Sequence, residues 1–223
     1  MTNNLYRKMR RWIGIGITLV VASQLGACAA IELEERCFPI MVAVGYEEDK
    51  VTYTVGFPRV GSSGEKKPQI NEIQVPITEE ATFEESKRKY ESHLNKVADY
   101  NHLKVMVIEE DLMEEPRAYE RMLDILADNE EFPRNTYVCA VEDIEDLMDI
   151  EENLPQELGT YLEEYLSNHE EKKEQLLTLG DLMDEKENQE MILYIPYLEV
   201  EDNYVEWGGY YAVGKGQRPV DFE

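Results

Sequence analysis

The sequence is poor in the residues from which active sites are usually built. Its 223 residues include three histidines and three cysteines, with no Cys-x-x-Cys pair and no His/Cys grouping at metal-ligand spacing. That gives zinc centres and dithiol redox pairs no footing here. A phosphate-cradling glycine loop, a Gly-x-Ser-x-Gly elbow and an Asp-x-Asp-x-Asp-Gly calcium loop are all missing, so nucleotide hydrolysis, α/β-hydrolase chemistry and EF-hand binding lack a basis. Positive charge is also scarce. Lys and Arg number 22 against 48 Asp and Glu, a formal charge of −26. A field of that sign repels nucleic acid and anionic lipid head groups. No internal repeat is visible, and no apolar run reaches the roughly 20 residues that a spanning helix needs.

What is present is enough for a folded core. Hydrophobic residues make up 43% of the chain, too many for a disordered polyanion. The acidic stretches "EEDLMEE" and "EKENQE" read as solvated faces and loops. The length suits one domain with a small appendage.

The N-terminus has a different composition. Residues 1–12 carry Arg7, Lys8, Arg10 and Arg11 and no acid. Ile13 to Ala22 follow as a short apolar run, and the stretch closes in Leu25-Gly26-Ala27-Cys28. A charged segment, a short apolar segment and small residues form a secretory signal. The last four residues look like a bacterial lipobox, in which the Cys28 thiol takes a diacylglyceryl group. The expectation is a signal peptide over 1–27, a tether over 28–36 beginning at lipidated Cys28, and a domain over 37–223. Acyl chains at roughly 0.8 kcal/mol per buried methylene would hold the protein to a bilayer on its extracytoplasmic face. Removing residues 1–27, with four basic groups and no acidic one, takes the charge from −26 to −30 over 196 residues, so the anchor expected is lipid rather than charge. Cys37 and Cys139 remain. A disulfide is open to them outside the cytoplasm, but their apolar, strand-like surroundings favour buried free thiols.

The remainder alternates between strand and helix patterns. "CFPIMVAVG" is continuously apolar, as a strand buried on both faces would be. Glu47 to Lys50 form a turn, and Val51, Tyr53, Val55 and Phe57 alternate after it. "GSSGEKKPQ" (61–69) is a loop by composition. Ile73, Val75 and Ile77 mark a short strand. Thr82 and Glu85 form a capping box for a helix whose face holds Phe83, Tyr90, Leu94 and Val97. "LKVMVIEE" (103–110) is a strand. Pro116 opens a helix with Tyr119, Met122, Leu123 and Leu126 in one stripe. "NTYVCAV" (135–141) is another strand. Helices follow over 143–150 and 156–168, the second with Leu158, Tyr161, Leu162, Tyr165 and Leu166 on its face. Thr178 and Asp181 flank a short helix, and two last strands meet at an Asp202-Asn203 turn. The reading is an α+β fold: a mixed sheet with a strand-helix-strand-helix-strand middle, parallel through its crossovers, flanked by hairpins and packed helices.

Several ordered blocks carry a resemblance. Cys28 is followed by "LEER" (33–36), then "IMVAVGYEEDKVTYTV". A threonine-phenylalanine helix start appears in "ATFEES" (81–86). "NHLKVMVIEEDL" leads through a helix into "RMLDILADNEEFPRNTYVCAV". "TLGDLM" (178–183) precedes "LYIPYLEV" (193–200), and "GYYAVGKGQRP" (209–219) closes the chain. In these blocks the sequence resembles the N-terminal domain of the Ger(x)C family, the lipoprotein C subunit of bacterial spore nutrient-germinant receptors. Asn101 stands where the family has glycine, and Tyr46 where it has aspartate. Family members usually continue into a larger C-terminal part, so the expectation is the N-terminal domain only.

The resemblance implies a lipid-anchored, non-enzymatic germination protein. It would lie on the spore inner membrane or cell membrane and assemble with polytopic A-type and B-type receptor subunits, with no cofactor, no metal and no nucleic acid. A solute-binding lipoprotein of a transporter is the alternative, and 196 mature residues is short for two lobes. The candidate residues are few. Cys28 is the lipidation site. His102 reads as structural rather than as a base, and Ser62 and Ser63 as loop. Arg134-Asn135 reads as a turn-and-strand feature. Trp207, Tyr210 and Tyr211 read as core or interface aromatics, with the C-terminal hairpin and the sheet edge as contact surfaces.

Overall fold

A computed structural model describes residues 35–56, 71–76, 83–94, 96–168, 176–187 and 193–213, together with Trp12. The expected lipobox, Ser62, Ser63, Thr82 and Ile77 lie outside the described residues. By internal contacts the chain divides into two units, Met1–Glu35 and Arg36–Glu223, and the second is described here. Its strands are β1 (Arg36–Cys37), β2 (Met41–Glu47), β3 (Lys50–Gly56), β4 (Asn71–Pro76), β5 (Val97–Ala98), β6 (Val105–Glu109), β7 (Tyr137–Val141), β8 (Leu177–Thr178), β9 (Leu193–Glu201) and β10 (Tyr204–Val213). Its helices are α1 (Phe83–Leu94), α2 (Glu110–Glu114), α3 (Pro116–Asp128), α4 (Ile144–Asp149), α5 (Leu158–Asn168) and α6 (Leu179–Glu187).

The main sheet runs β10-β9-β7-β6-β2-β3-β4, with β8 paired to β7. Strands β2, β6, β7 and β9 are mutually parallel, while β3, β4 and β10 join antiparallel at the flanks. The α+β architecture read from the sequence is the one observed, with the parallel middle and both flanking hairpins in place.

The apolar runs follow from burial on two sides. Val42, Val44, Met106, Ile108, Val138 and Ala140 face one core with Leu112, Met122 and Leu126. The alternate residues Met41, Ala43, Val105, Val107, Cys139 and Val141 face a second core with Leu147, Leu158, Leu162 and Leu166. Each strand therefore contributes to both layers, which its period of two requires. Fully burying a leucine-sized side chain is worth about 1.5–3 kcal/mol, so these alternating sets specify register strongly.

Local signals set the element ends. Glu48 and Asp49 both have left-handed φ, 48° and 62°, and form the two-residue turn between β2 and β3 whose twist suits a hairpin. Pro116 sits in the first turn of α3. The Asp143 carboxylate accepts from the Glu145 and Asp146 backbone N–H groups at 2.6 and 3.4 Å and caps α4. Asp181 accepts from Thr178 N and Oγ1 at 2.9 and 2.5 Å, a reciprocal cap at the start of α6.

Two expectations need correction. The run from Cys37 to Gly45 is not one strand. Pro39 lacks the N–H that a ladder needs, and the chain breaks there. Cys37 pairs in a separate two-stranded ladder with β5, and β2 starts at Met41. Val97 is not on the α1 face either. The helix ends at Leu94, and Val97 is a strand residue opposite Arg36, 37% exposed.

Helix α1 is held by a buried cation. Lys87 is 4% exposed, and its ammonium donates to the Glu131 carboxylate, lies 3.9 Å from Glu91 and sits 5.6 Å from the Tyr100 ring centroid. Around it Tyr53, Phe83, Phe132 and Tyr100 form a chain of ring contacts with centroids 4.9 to 5.6 Å apart. A buried cation needs this pairing, because an unpaired one is strongly unfavourable.

Helix α5 crosses β2 very closely at Gly159. A Cβ there would lie 2.9 Å from Met41 Cβ and 3.0 Å from the Ile40 carbonyl oxygen. Overpacking of this kind costs about 1–3 kcal/mol, against a helix-propensity gain of at most about 1 kcal/mol. Gly159→Ala is therefore expected to lower stability by about 1–2 kcal/mol, read as a reduced urea midpoint at unchanged slope. An unchanged or raised midpoint would show that the contact relaxes.

Candidate functional site

The carboxyl ends of the parallel strands gather the polar groups that the two-sided core excludes. Strand β6 ends in Glu109, which is half-buried between β2 and β7. Its Oε2 accepts from the Tyr46 backbone N–H at 3.4 Å and its Oε1 from the Ile144 N–H at 3.2 Å. One carboxylate therefore joins the end of β2 to the first turn of α4. The carboxylate fits because the neighbour on β2 is Gly45: a Cβ on that residue would stand 2.6 Å from Glu109 Oε2. Beside it, the Tyr197 hydroxyl of β9 donates to Glu110 at 3.1 Å.

Burial raises the proton affinity of Glu109 above the ordinary glutamate value. The Ile144 and Tyr46 N–H groups oppose that shift, and Asp143 and Asp111 reinforce it. Burial, followed by the charges of Glu110 and others, raises the Tyr197 phenol likewise. This rim offers acceptors and phenols. It holds no aligned nucleophile and base, and among the described residues no three His, Cys, Asp or Glu side chains gather as metal ligands.

The residues singled out from the sequence fall in separate places. His102 ends a short turn after β5, exposed, its ring 5.3 Å edge-on from Phe38. Arg134 binds the end of the chain's middle to α6. Its guanidinium donates to the Gly180 carbonyl at 3.1 Å and to Asp184 at 2.6 Å, and Gly180 N–H returns to the Arg134 carbonyl at 2.8 Å. Asn135 is exposed beside it. The Arg134 contacts are those of the turn expected there.

Cys37 and Cys139 are free thiols. Full burial pushes Cys139 up to about 12, which keeps it protonated and inert. Burial raises Cys37 as well, partly offset by the Lys96 charge, and its Sγ lies 3.6 Å from the Val97 carbonyl.

The C-terminal hairpin is not an exposed aromatic surface. Tyr210 and Tyr211 are buried, and Trp207 is half-buried with its ring 5.3 Å from Tyr210. Trp207 packs into one core and Tyr211 into the other, because both faces of β10 are covered there. The exposed rings of the hairpin are Tyr194 and Tyr204, 43% and 48% exposed. Cys28 lies outside the described residues. Glu109 gave no sequence signal of its own beyond being the first acid after an apolar strand.

A carboxyl that binds its proton more tightly when folded stabilises the fold below the ordinary value, and that contribution is lost as pH rises through the folded value. Glu109→Gln removes the titration and leaves one backbone N–H without an acceptor, at about 1–3 kcal/mol. Wild-type stability relative to the variant should therefore increase as pH falls from neutral towards 4.5, the ordinary glutamate value. Urea unfolding of both proteins across that window checks it, and a pH-independent difference would refute it.

Two kinds of comparison return nothing: no curated protein and no solved structure matches this chain. A family comparison does. The family described as the spore germination protein N-terminal domain matches residues 29–200, well over half of the sequence and every strand of the main sheet except β10 and the last residue of β9. The match covers the parallel middle, the Arg134 turn and β9 up to Val200, and with them the blocks of the resemblance other than Cys28 and the closing block 209–219; the chain belongs to the spore germination protein N-terminal domain family.

Proposed function

We propose that this protein is a lipid-anchored, non-enzymatic subunit or accessory of a spore nutrient-germinant receptor, acting in germination by assembling with polytopic A-type and B-type membrane subunits. The observation that carries the reading is where the family match begins. Its first residue, 29, directly follows Cys28 in the lipobox-like "LGAC". A germination domain thus starts where lipidation would leave a mature N-terminus. The described residues contain no helix long and apolar enough to cross a membrane, so contact with polytopic subunits would be made by folded surface. At the rim the Glu109 and Asp143 carboxylates accept from backbone donors and Glu110 from the Tyr197 hydroxyl of the same chain, which supports a structural role for them rather than a catalytic one.

Cys28→Ala tests the reading. Expressed in a spore-forming Gram-positive host, the wild-type chain should sediment with membranes and carry a polytopic subunit through a pull-down in mild detergent. The variant should move to the soluble fraction with at least a tenfold loss of membrane-bound protein, as expected when two acyl chains are removed. Retention of the variant on membranes would exclude the anchor, and an anchored wild type with no polytopic partner would exclude the receptor role.

A further inference from the structure

The Glu109 carboxylate sits in a notch whose geometry suits two different hydrogen-bonded arrangements. Backbone pairing of β2 with β6 runs from Met41–Val105 to Val44–Ile108 and stops there. Beyond it the Glu109 side chain takes over: Oε2 accepts from the Tyr46 N–H at 3.4 Å, so the last rung between these strands is made by a side chain. Oε1 accepts from the Ile144 N–H at 3.2 Å. Both bonds are long beside the roughly 2.7–2.9 Å of a charge-assisted pair. The floor of the notch is Gly45. The point where its Cβ would stand is 2.6 Å from Glu109 Oε2 and 3.1 Å from Thr52 Oγ1. Thr52 is the partner of Gly45 on β3, and it is buried. A hydroxyl able to accept a hydrogen bond therefore faces the same carboxylate oxygen that holds Tyr46.

Opposed influences act on this carboxyl. The two backbone N–H groups favour its charged form, while burial, Asp143 and Asp111 favour the proton. Asp143 faces it from the start of α4, which its carboxylate caps, and Asp111 from α2. On the β9 side the Tyr197 hydroxyl is directed to Glu110. On the hairpin the Tyr46 hydroxyl donates to Asp49 at 3.1 Å, and Lys50 lies 3.7 Å from Glu48. The turn beyond Tyr46 is strained as well. Glu48 and Asp49 are both left-handed without being glycine, and such conformations persist only while their surroundings hold them. Glu109 is the group that ties the Tyr46 backbone, next to that turn, to β6.

We propose that the notch at Gly45 is a proton-operated latch on the β2–β3 turn. With its carboxylate ionised, Glu109 holds the Tyr46 and Ile144 N–H groups together. With a proton on Oε2 it donates to Thr52 Oγ1, keeps Ile144 on Oε1 and releases Tyr46. The proton comes from solvent, and no other covalent bond changes. Because the folded chain binds this proton more tightly than an ordinary glutamate does, the released turn belongs to the folded protein and not to a denaturing one. The latch depends neither on the lipid anchor nor on receptor assembly.

The test uses the full chain in detergent micelles, isotope-labelled in the backbone and in the glutamate carboxyls, from neutral pH down to 4.5, the ordinary glutamate value. Amide hydrogen exchange, corrected for its intrinsic pH dependence, is followed at Tyr46 and Ile144 beside the carboxyl signal of Glu109. Glu109 is expected to titrate above 4.5. Protection of Tyr46 should fall by about threefold or more with the same midpoint, while Ile144 stays protected. In Glu109→Gln, whose amide offers one acceptor, Tyr46 should be weakly protected at every pH. Thr52→Val removes the acceptor of the protonated form and should lower the Glu109 and Tyr46 midpoints together. Tyr46 protection that is flat across the Glu109 titration, or that falls together with Ile144, would overturn the latch. So would a Glu109 midpoint left unmoved by Thr52→Val. The wild-type titration decides the first two outcomes even where a variant does not fold.

Discussion

Burial of β2, β6 and β7 on both faces is the constraint on which the rest of this structure depends. A strand packed on two sides has no position for a polar side chain along its length. Every residue from Met41 to Val44 and from Val105 to Ile108 is accordingly apolar and almost wholly shielded. Polar function is displaced to the strand ends and to the helices. In a protein with 48 acidic residues, the strand ends become acidic by default. What sets Glu109 apart is its confinement: two backbone donors, a glycine beneath it and partial exclusion of water act on one carboxylate. The same logic applies to Lys87, a charge admitted to the interior only where two carboxylates and an aromatic face receive it.

The sequence made some of these features legible and hid others, for physical reasons. Continuous apolar runs announced the central strands because two-sided burial leaves no alternation to misread. The stripe Tyr119, Met122, Leu123, Leu126 announced α3 because a helix against a sheet buries one face. The two-residue strands stayed hidden, since β1 finds β5 across some sixty positions of sequence and β8 finds β7 across about forty. No local pattern encodes such pairings. Pro39 was readable in principle: inside an otherwise ideal strand it marks the break between two sheets. Trp207, Tyr210 and Tyr211 were legible as core or interface, and the core is where they lie; what stayed hidden was the shift of register between Trp207 and Gly209, which helps divide the rings between the two cores and leaves the hairpin without the exposed aromatic surface expected of it.

Family membership and geometry point to different parts of the molecule, and the two are complementary. The matched blocks lie mostly on elements that build the sheet, so they report a scaffold. Arg134 illustrates this: its contacts to Gly180 and Asp184 lock a turn to a helix. Surface behaviour has to be read from what the scaffold leaves outside, including two tyrosines on the last hairpin.

The separation of β1 from β2 at Pro39 has a mechanical meaning. Any pull on the chain ahead of Arg36 runs first into a ladder of two residues, one ion pair and one backbone hydrogen bond to Asp99. It does not run directly into β2, an inner strand of the main sheet. The ladder can give way while β2 keeps its seven-residue pairing with β3 and its register with β6. The junction therefore works as a weak link in series with a strong body: tension is released by freeing a few residues of slack, and the folded sheet is not the part that tears.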